Sequence, residues 1–162
     1  MIKKILLFLL AALVIIQFFH PARNKAAGTQ PNYLGNAYPV PAGIKLILEK
    51  ACNDCHSNNT RYPWYSKVQP VDWWLDKHIR NGKKELNLDE YTHRSLRYQY
   101  HKLEEIAEQV REGEMPLKSY TRVHRDAVLT DAEKNALAGW ADALRDSLEA
   151  RYPLDSLVRK KG

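Results

Sequence analysis

Cys52-Asn53-Asp54-Cys55-His56 is the stretch of this 162-residue chain whose residue types and spacing carry the most specific chemistry. Two thiols three positions apart, with a histidine directly after the second, form the C-x-x-C-H signal for attachment of a c-type haem. The spacing has a geometric reason. On one helical turn each thiol can add to one of the porphyrin's two vinyl groups, and the histidine is then delivered beneath the iron as its proximal ligand. Cys52, Cys55 and His56 are therefore candidate cofactor-binding residues for one covalently held haem c, with His56 also a metal ligand. Three other chemistries compete. A disulfide across so short a loop stabilises little. A thioredoxin-like dithiol wants a strand and a βαβ setting before the motif, where this sequence reads as helix. A zinc site would have to borrow distant histidines, because the chain has only two cysteines.

Beyond the initiator there is one methionine, Met115, in Gly113-Glu114-Met115-Pro116. Methionine usually fills gaps in a core. In a loop restrained by Gly and Pro it makes better sense as a sixth ligand, since a thioether is soft and neutral and favours ferrous iron. His78, His93, His101 and His124 are the rivals. His78 shares the apolar face of a predicted helix and reads as a core histidine, whereas His93 and His101 lie in polar surroundings. His124 is the loop histidine nearest Met115 and would be the acid–base group if the iron served an enzyme. Arg61, Tyr62 and Trp64, followed by Tyr65, come just after the motif. Their N–H and O–H groups suit haem propionates, and Trp64 and Tyr65 suit equally well as an apolar cover for the porphyrin rim. The second ring nitrogen of His56 should donate to a backbone carbonyl, for which Pro63 and Pro70 are candidates.

Helices must position these groups. Ile44, Ile47, Leu48, Ala51 and Cys55 recur at three- and four-residue steps, which predicts a helix from about Gly43 into the motif. A second is expected over 71–81 with Pro70 at its start and Gly82 at its end, and with Val71, Trp74, Leu75, His78 and Ile79 on one face. A third is expected over 89–112, broken near Tyr98, with Leu103, Ile106, Ala107 and Val110 facing inward and Gly113 as its stop. Thr130-Asp131-Ala132-Glu133 is a capping box for a fourth, with a stripe of Leu137, Ala141, Leu144 and Leu148 and an end at Pro153. No strand alternation or internal repeat is found. The fold class expected is all-α: a small cytochrome-c-like helical domain over 43–152 around one haem. Residues 153–162 read as a basic tail, and the loops 57–69 and 113–129 are too rich in special residues to be plain connectors.

The formal charge of +6 belongs to the ends. Removing Lys3, Lys4, Arg23, Lys25, Arg159, Lys160 and Lys161 from the 25 basic residues leaves 18 against 19 acidic ones, so the body is about neutral and offers no basic face for nucleic acid. The apolar run from Ile5 to Phe19, behind Lys3 and Lys4, reads as a signal anchor or signal peptide over 1–20. An uncleaved transmembrane helix is preferred, because no small-x-small triplet adjoins the run. Residues 21–42 are rich in Gly, Pro, Asn and Ala and suit a flexible or extended linker.

The stretch CNDCHSNNTRYPWYSKVQPVDWWLDKHIRNGKKELNLDEY, with GEMPLKSYTRVH and LTDAEKNALAGWADAL, resembles the small bacterial haem-binding-domain proteins, from about Leu46 to Leu144. The joint pattern of CxxCHSN, YPWYS and MP is more specific than CxxCH alone. Tyr91 stands where that family often has Trp. The resemblance implies one c-type haem on Cys52, Cys55 and His56 with Met115 as distal ligand. The function expected is one-electron transfer at the outer, periplasmic face of the bacterial inner membrane, or in the periplasm if the N-terminal segment is cleaved. Partners would be other redox proteins or a membrane oxidoreductase complex, besides the membrane itself. The alternatives are a haem sensor or peroxidase-like protein with a displaceable distal ligand, and a haem-bearing accessory subunit.

Overall fold

The structure, a computed structural model, describes residues 1–158. It is helical throughout: α1 (Ile2–Ile16), α2 (Ala42–Ala51), α3 (Asn53–His56), α4 (Val71–Glu85), α5 (Leu96–Arg111), α6 (Lys118–Thr121), α7 (Asp131–Arg151) and α8 (Leu154–Leu157). Short 3-10 turns lie at Leu34–Asn36, Trp64–Lys67, Leu88–Glu90 and Arg125–Ala127. Among the described residues the nearest thing to a strand is one antiparallel bridge between Lys25 and Asn59.

The core forms where the apolar stripes meet. Leu103, Ala107 and Val110 of α5 are buried against Leu137, Ala141, Leu144 and Leu148 of α7, and Ile44, Ile47 and Leu48 of α2 close the third side. The capping box that starts α7 is complete: the Thr130 hydroxyl accepts from the Glu133 N–H while the Glu133 carboxylate accepts from the Thr130 N–H. Gly113 ends α5 at φ +73°, a conformation that costs a residue without a Cβ little. The break ahead of α5 falls at 91–95, with the Ser95 side chain capping α5 through the Tyr98 N–H. That serine places the break a little earlier than the expected site near Tyr98.

Two expectations change. The helix expected to stop at Gly82 continues to Glu85. Gly82 is a contact rather than a terminator, since a Cβ there would lie 2.7 Å from the Cys55 carbonyl oxygen. The expected N-terminal transmembrane helix is not supported: no helix among the described residues is long and apolar enough to cross a membrane. α1 has 15 residues, none of them buried, so it spans roughly 22 Å where a hydrocarbon core needs about 30 Å. It stops at Ile16 because the Gln17 amide turns back on the Leu13 carbonyl and also pairs with the backbone of Gln69.

The stretch 21–42 is extended and laid on the body. Leu34 is fully buried, Trp140 Nε1 donates to the Pro39 carbonyl, and Asn24 Nδ2 donates to the Ser57 carbonyl and to Thr60 Oγ1. In the C-terminal segment, Leu157 of α8 is buried in the core. Arg159, Lys160 and Lys161 of the expected basic tail lie outside the described residues.

Candidate haem-binding site

The helix entering the motif breaks at Cys52, whose φ of −123° and ψ of −47° end α2 and start the separate turn α3. Cys52 thus sits at the junction and Cys55 one turn on. Neither is in a disulfide. Burial, then repulsion from the neighbouring sulfur, pushes the Cys52 thiol up to about 12. Burial, then the Asp54 carboxylate, pushes Cys55 up to about 11. A redox-active dithiol needs a lowered thiol pKa, so these surroundings speak against that alternative. For zinc, no group of three or more His, Cys, Asp or Glu side chains gathers among the described residues.

His56 has the surroundings of a ligand. Its Nδ1 lies 2.9 Å from the Leu86 carbonyl oxygen. A carbonyl only accepts, so Nδ1 carries the proton and the lone pair falls on Nε2. Burial lowers the pKa of the ring, against the raising effect of the Leu86 and Gly82 carbonyls, so the neutral, ligating form is favoured. The carbonyl comes from Leu86 and not from Pro63 or Pro70. α4 runs on past Gly82, and its end returns over α3 because Gly82 has no Cβ to hold it off. The residues after the motif hold the same region together: the Asn58 N–H donates to Asp89 Oδ2 at 2.7 Å, and Asn58 Oδ1 accepts from Asn87.

Cys55 forms part of one wall of a partly open, apolar cleft of about 230 Å³. Val71, Trp74, Leu75 and His78 of α4 extend that wall, and Tyr65 with the segment from Leu117 to Val123 closes the other side. An almost wholly apolar lining that includes a cysteine of the motif, next in sequence to His56, suits the face of a flat apolar cofactor.

The other expected site residues are placed as follows. Met115 is half-buried, in the loop directly before the cleft-lining segment, with its N–H donating to the Gln109 carbonyl. Arg61 is turned onto Asp54 and the Glu49 carbonyl. The Tyr62 hydroxyl accepts from the Asn24 N–H, and its ring lies under Arg23. Neither lines the cleft. Trp64 is 79% exposed, edge-on to Tyr65, which does line it. His78 is half-buried on the cleft wall rather than in the core, with Nδ1 facing the Trp74 carbonyl at 2.8 Å. Sequence reasoning did not reach Asp54, Gly82, Leu86 and Tyr120, which act here through their tertiary neighbours. The signal open to it was a glycine inside a helical pattern.

No match to this chain is found among curated proteins or solved structures. The sequence profile described as "Haem-binding domain" matches residues 11–143, a span that takes in the motif, the cleft and the Met115 loop. By that match over most of its length, the chain belongs to the haem-binding domain family and binds haem.

Proposed function

We propose that the chain holds one haem c, joined through thioethers to Cys52 and Cys55, with His56 and Met115 as axial ligands. It would carry single electrons between other redox proteins, or to a membrane oxidoreductase complex, at the outer face of the bacterial inner membrane. When bound, the haem supplies one-electron chemistry at its iron. The observation that carries the reading is the His56–Leu86 bond beside a cysteine on an apolar wall. That bond holds the neutral imidazole in one tautomer and fixes the ring's direction, which raises its basicity as a ligand. Trp74, Leu75 and Leu117 give the site an apolar lining, and the neutral Met115 thioether favours the ferrous state. Lys3 and Lys4 ahead of the exposed apolar α1 support export, with the periplasm as the location if the segment is removed.

One observation favours a second distal ligand. His78 lies on the cleft wall with Nδ1 engaged by a carbonyl, the arrangement a ligating histidine also shows. Spectra decide between the two. The protein should keep haem through denaturing electrophoresis and give a c-type pyridine haemochrome, and Cys55→Ala should weaken that retention. Haem lost on denaturation would overturn covalent attachment. The ferric protein should show the weak red absorption of iron–thioether bonding, lost in Met115→Ala and kept in His78→Ala. Absence of that absorption from the wild type, with a haem spectrum that changes in His78→Ala and not in Met115→Ala, would assign the distal position to His78.

A further inference from the structure

Asp54 stands at a position that the attachment motif leaves open, yet its side chain is among the most engaged in the molecule. It is 6% exposed. Oδ2 accepts from the Tyr120 hydroxyl at 2.7 Å, and Oδ1 accepts from the Arg61 backbone N–H at 2.9 Å and from Arg61 Nε at 3.3 Å. The Asp54 carbonyl accepts from Thr60 Oγ1 at 2.7 Å. Tyr120 in turn stacks on His124, with ring centroids 4.2 Å apart and planes 15° apart. His124 Nε2 is 2.6 Å from the Tyr65 hydroxyl. The two long loops, 57–69 and 113–129, are thereby tied to each other and to the turn that carries both cysteines.

Met115 lies inside the second loop between two fixed points. Upstream, the N–H groups of Glu114 and Met115 both donate to the Gln109 carbonyl in α5, at 3.0 and 3.1 Å. Downstream, α6 begins at Lys118 and presents Tyr120 to Asp54. The second anchor is a hydrogen bond to a buried carboxylate, and such bonds are worth about tenfold or more in an equilibrium constant.

We propose that Asp54 is a positioning residue: through Tyr120 it fastens the Met115 loop to the attachment turn, so that one motif sets both sides of the site. The inference rests on Met115 as the distal ligand. It assigns Tyr120, on the cleft wall, a role beyond packing, because its hydroxyl is what joins the loop to the motif. A carboxylate that only stabilised the fold would affect unfolding and leave the distal ligand's competition with an added one unchanged.

The test uses the full-length, haem-loaded protein with Tyr120→Phe, Asp54→Ala and the double variant. Tyr120→Phe should retain haem on a denaturing gel at the wild-type level and keep its helical signal. Its red thioether absorption should weaken, and its ferrous form should bind carbon monoxide about tenfold more tightly than wild type. Asp54→Ala should act in the same direction, and the double variant should be no worse than the larger single one, because both remove one bond. Unchanged absorption and carbon monoxide affinity in Tyr120→Phe would overturn the proposal even if Asp54→Ala fails to fold. Effects that simply add would also overturn it. Absence of the red absorption from the wild type would remove the Met115 reading and this inference with it.

Discussion

At Gly82 a Cβ would meet the Cys55 carbonyl oxygen at 2.7 Å and the Cys55 Cβ at 3.0 Å. Both belong to the turn α3, so neither can swing aside as the end of a long side chain would. Helix propensity alone makes Gly82→Ala stabilising by about 1 kcal/mol. Overpacking against a fixed backbone costs about 1–3 kcal/mol, and here it wins because α4 would have to move off α3. The expected net result is a loss of up to about 2 kcal/mol, measured by urea denaturation. The same shift would draw the Leu86 carbonyl away from His56, so the yield of haem-loaded protein should fall as well. A variant more stable than wild type would show that α4 can give way without disturbing the motif.

The element that follows α1 is held by a buried carboxylate at the start of α4. Asp72 is 1% exposed and receives His20 Nδ1 at 2.7 Å and Arg23 Nη1 at 2.9 Å, while Arg23 Nη2 donates to the Ser66 carbonyl. Phe19 adds its carbonyl as acceptor for Gln69 Nε2 and Trp73 Nε1. Breaking a fully buried ion pair by removing one partner costs about 3–5 kcal/mol. Here the partners left behind, His20 and Arg23, are about one-third exposed and can reach water, so Asp72→Ala is expected to cost about 1–2 kcal/mol. Its sharper effect is local. Tryptic cleavage after Arg23 and Lys25 should accelerate about tenfold while the body stays intact. Equal cleavage rates in wild type and variant would show that the strap is held by other contacts. The contacts also explain why 21–42 read as a linker: its composition lacks periodicity, and the groups that hold it are supplied by residues far along the chain.

For the whole molecule, the buried tyrosines set an alkaline limit. Tyr91 is fully buried and its hydroxyl donates to the Gln99 carbonyl at 2.5 Å. Burial above all, then Tyr38 and Tyr98, raises its pKa well above the ordinary 10.0. A group whose pKa is higher folded than unfolded contributes stability below the unfolded value and loses it as pH rises past that value. Unfolding midpoints in urea should therefore fall as pH passes about 10, and the fall should be shallower in Tyr91→Phe, which has nothing to ionise there. Identical slopes in the two proteins would place the alkaline limit elsewhere.

The sequence by itself was enough for what depends on neighbours three or four positions away. The spacing of Cys52, Cys55 and His56, the Thr130–Glu133 capping box, the stripe from Leu137 to Leu148 and the glycine stop at Gly113 are all covalent or one-turn relations, and the all-helical class follows from them. Only the tertiary structure decided which carbonyl faces His56, since Leu86 is 30 positions away. It likewise decided which hydroxyl Asp54 accepts from, since Tyr120 is 66 positions away. It also turned Gly82 from a helix stop into a close contact and placed the Arg61 guanidinium beside Asp54. The reason is physical: a hydrogen-bonding side chain or backbone carbonyl shows its capacity in the sequence, but its partner is chosen by how the helices pack.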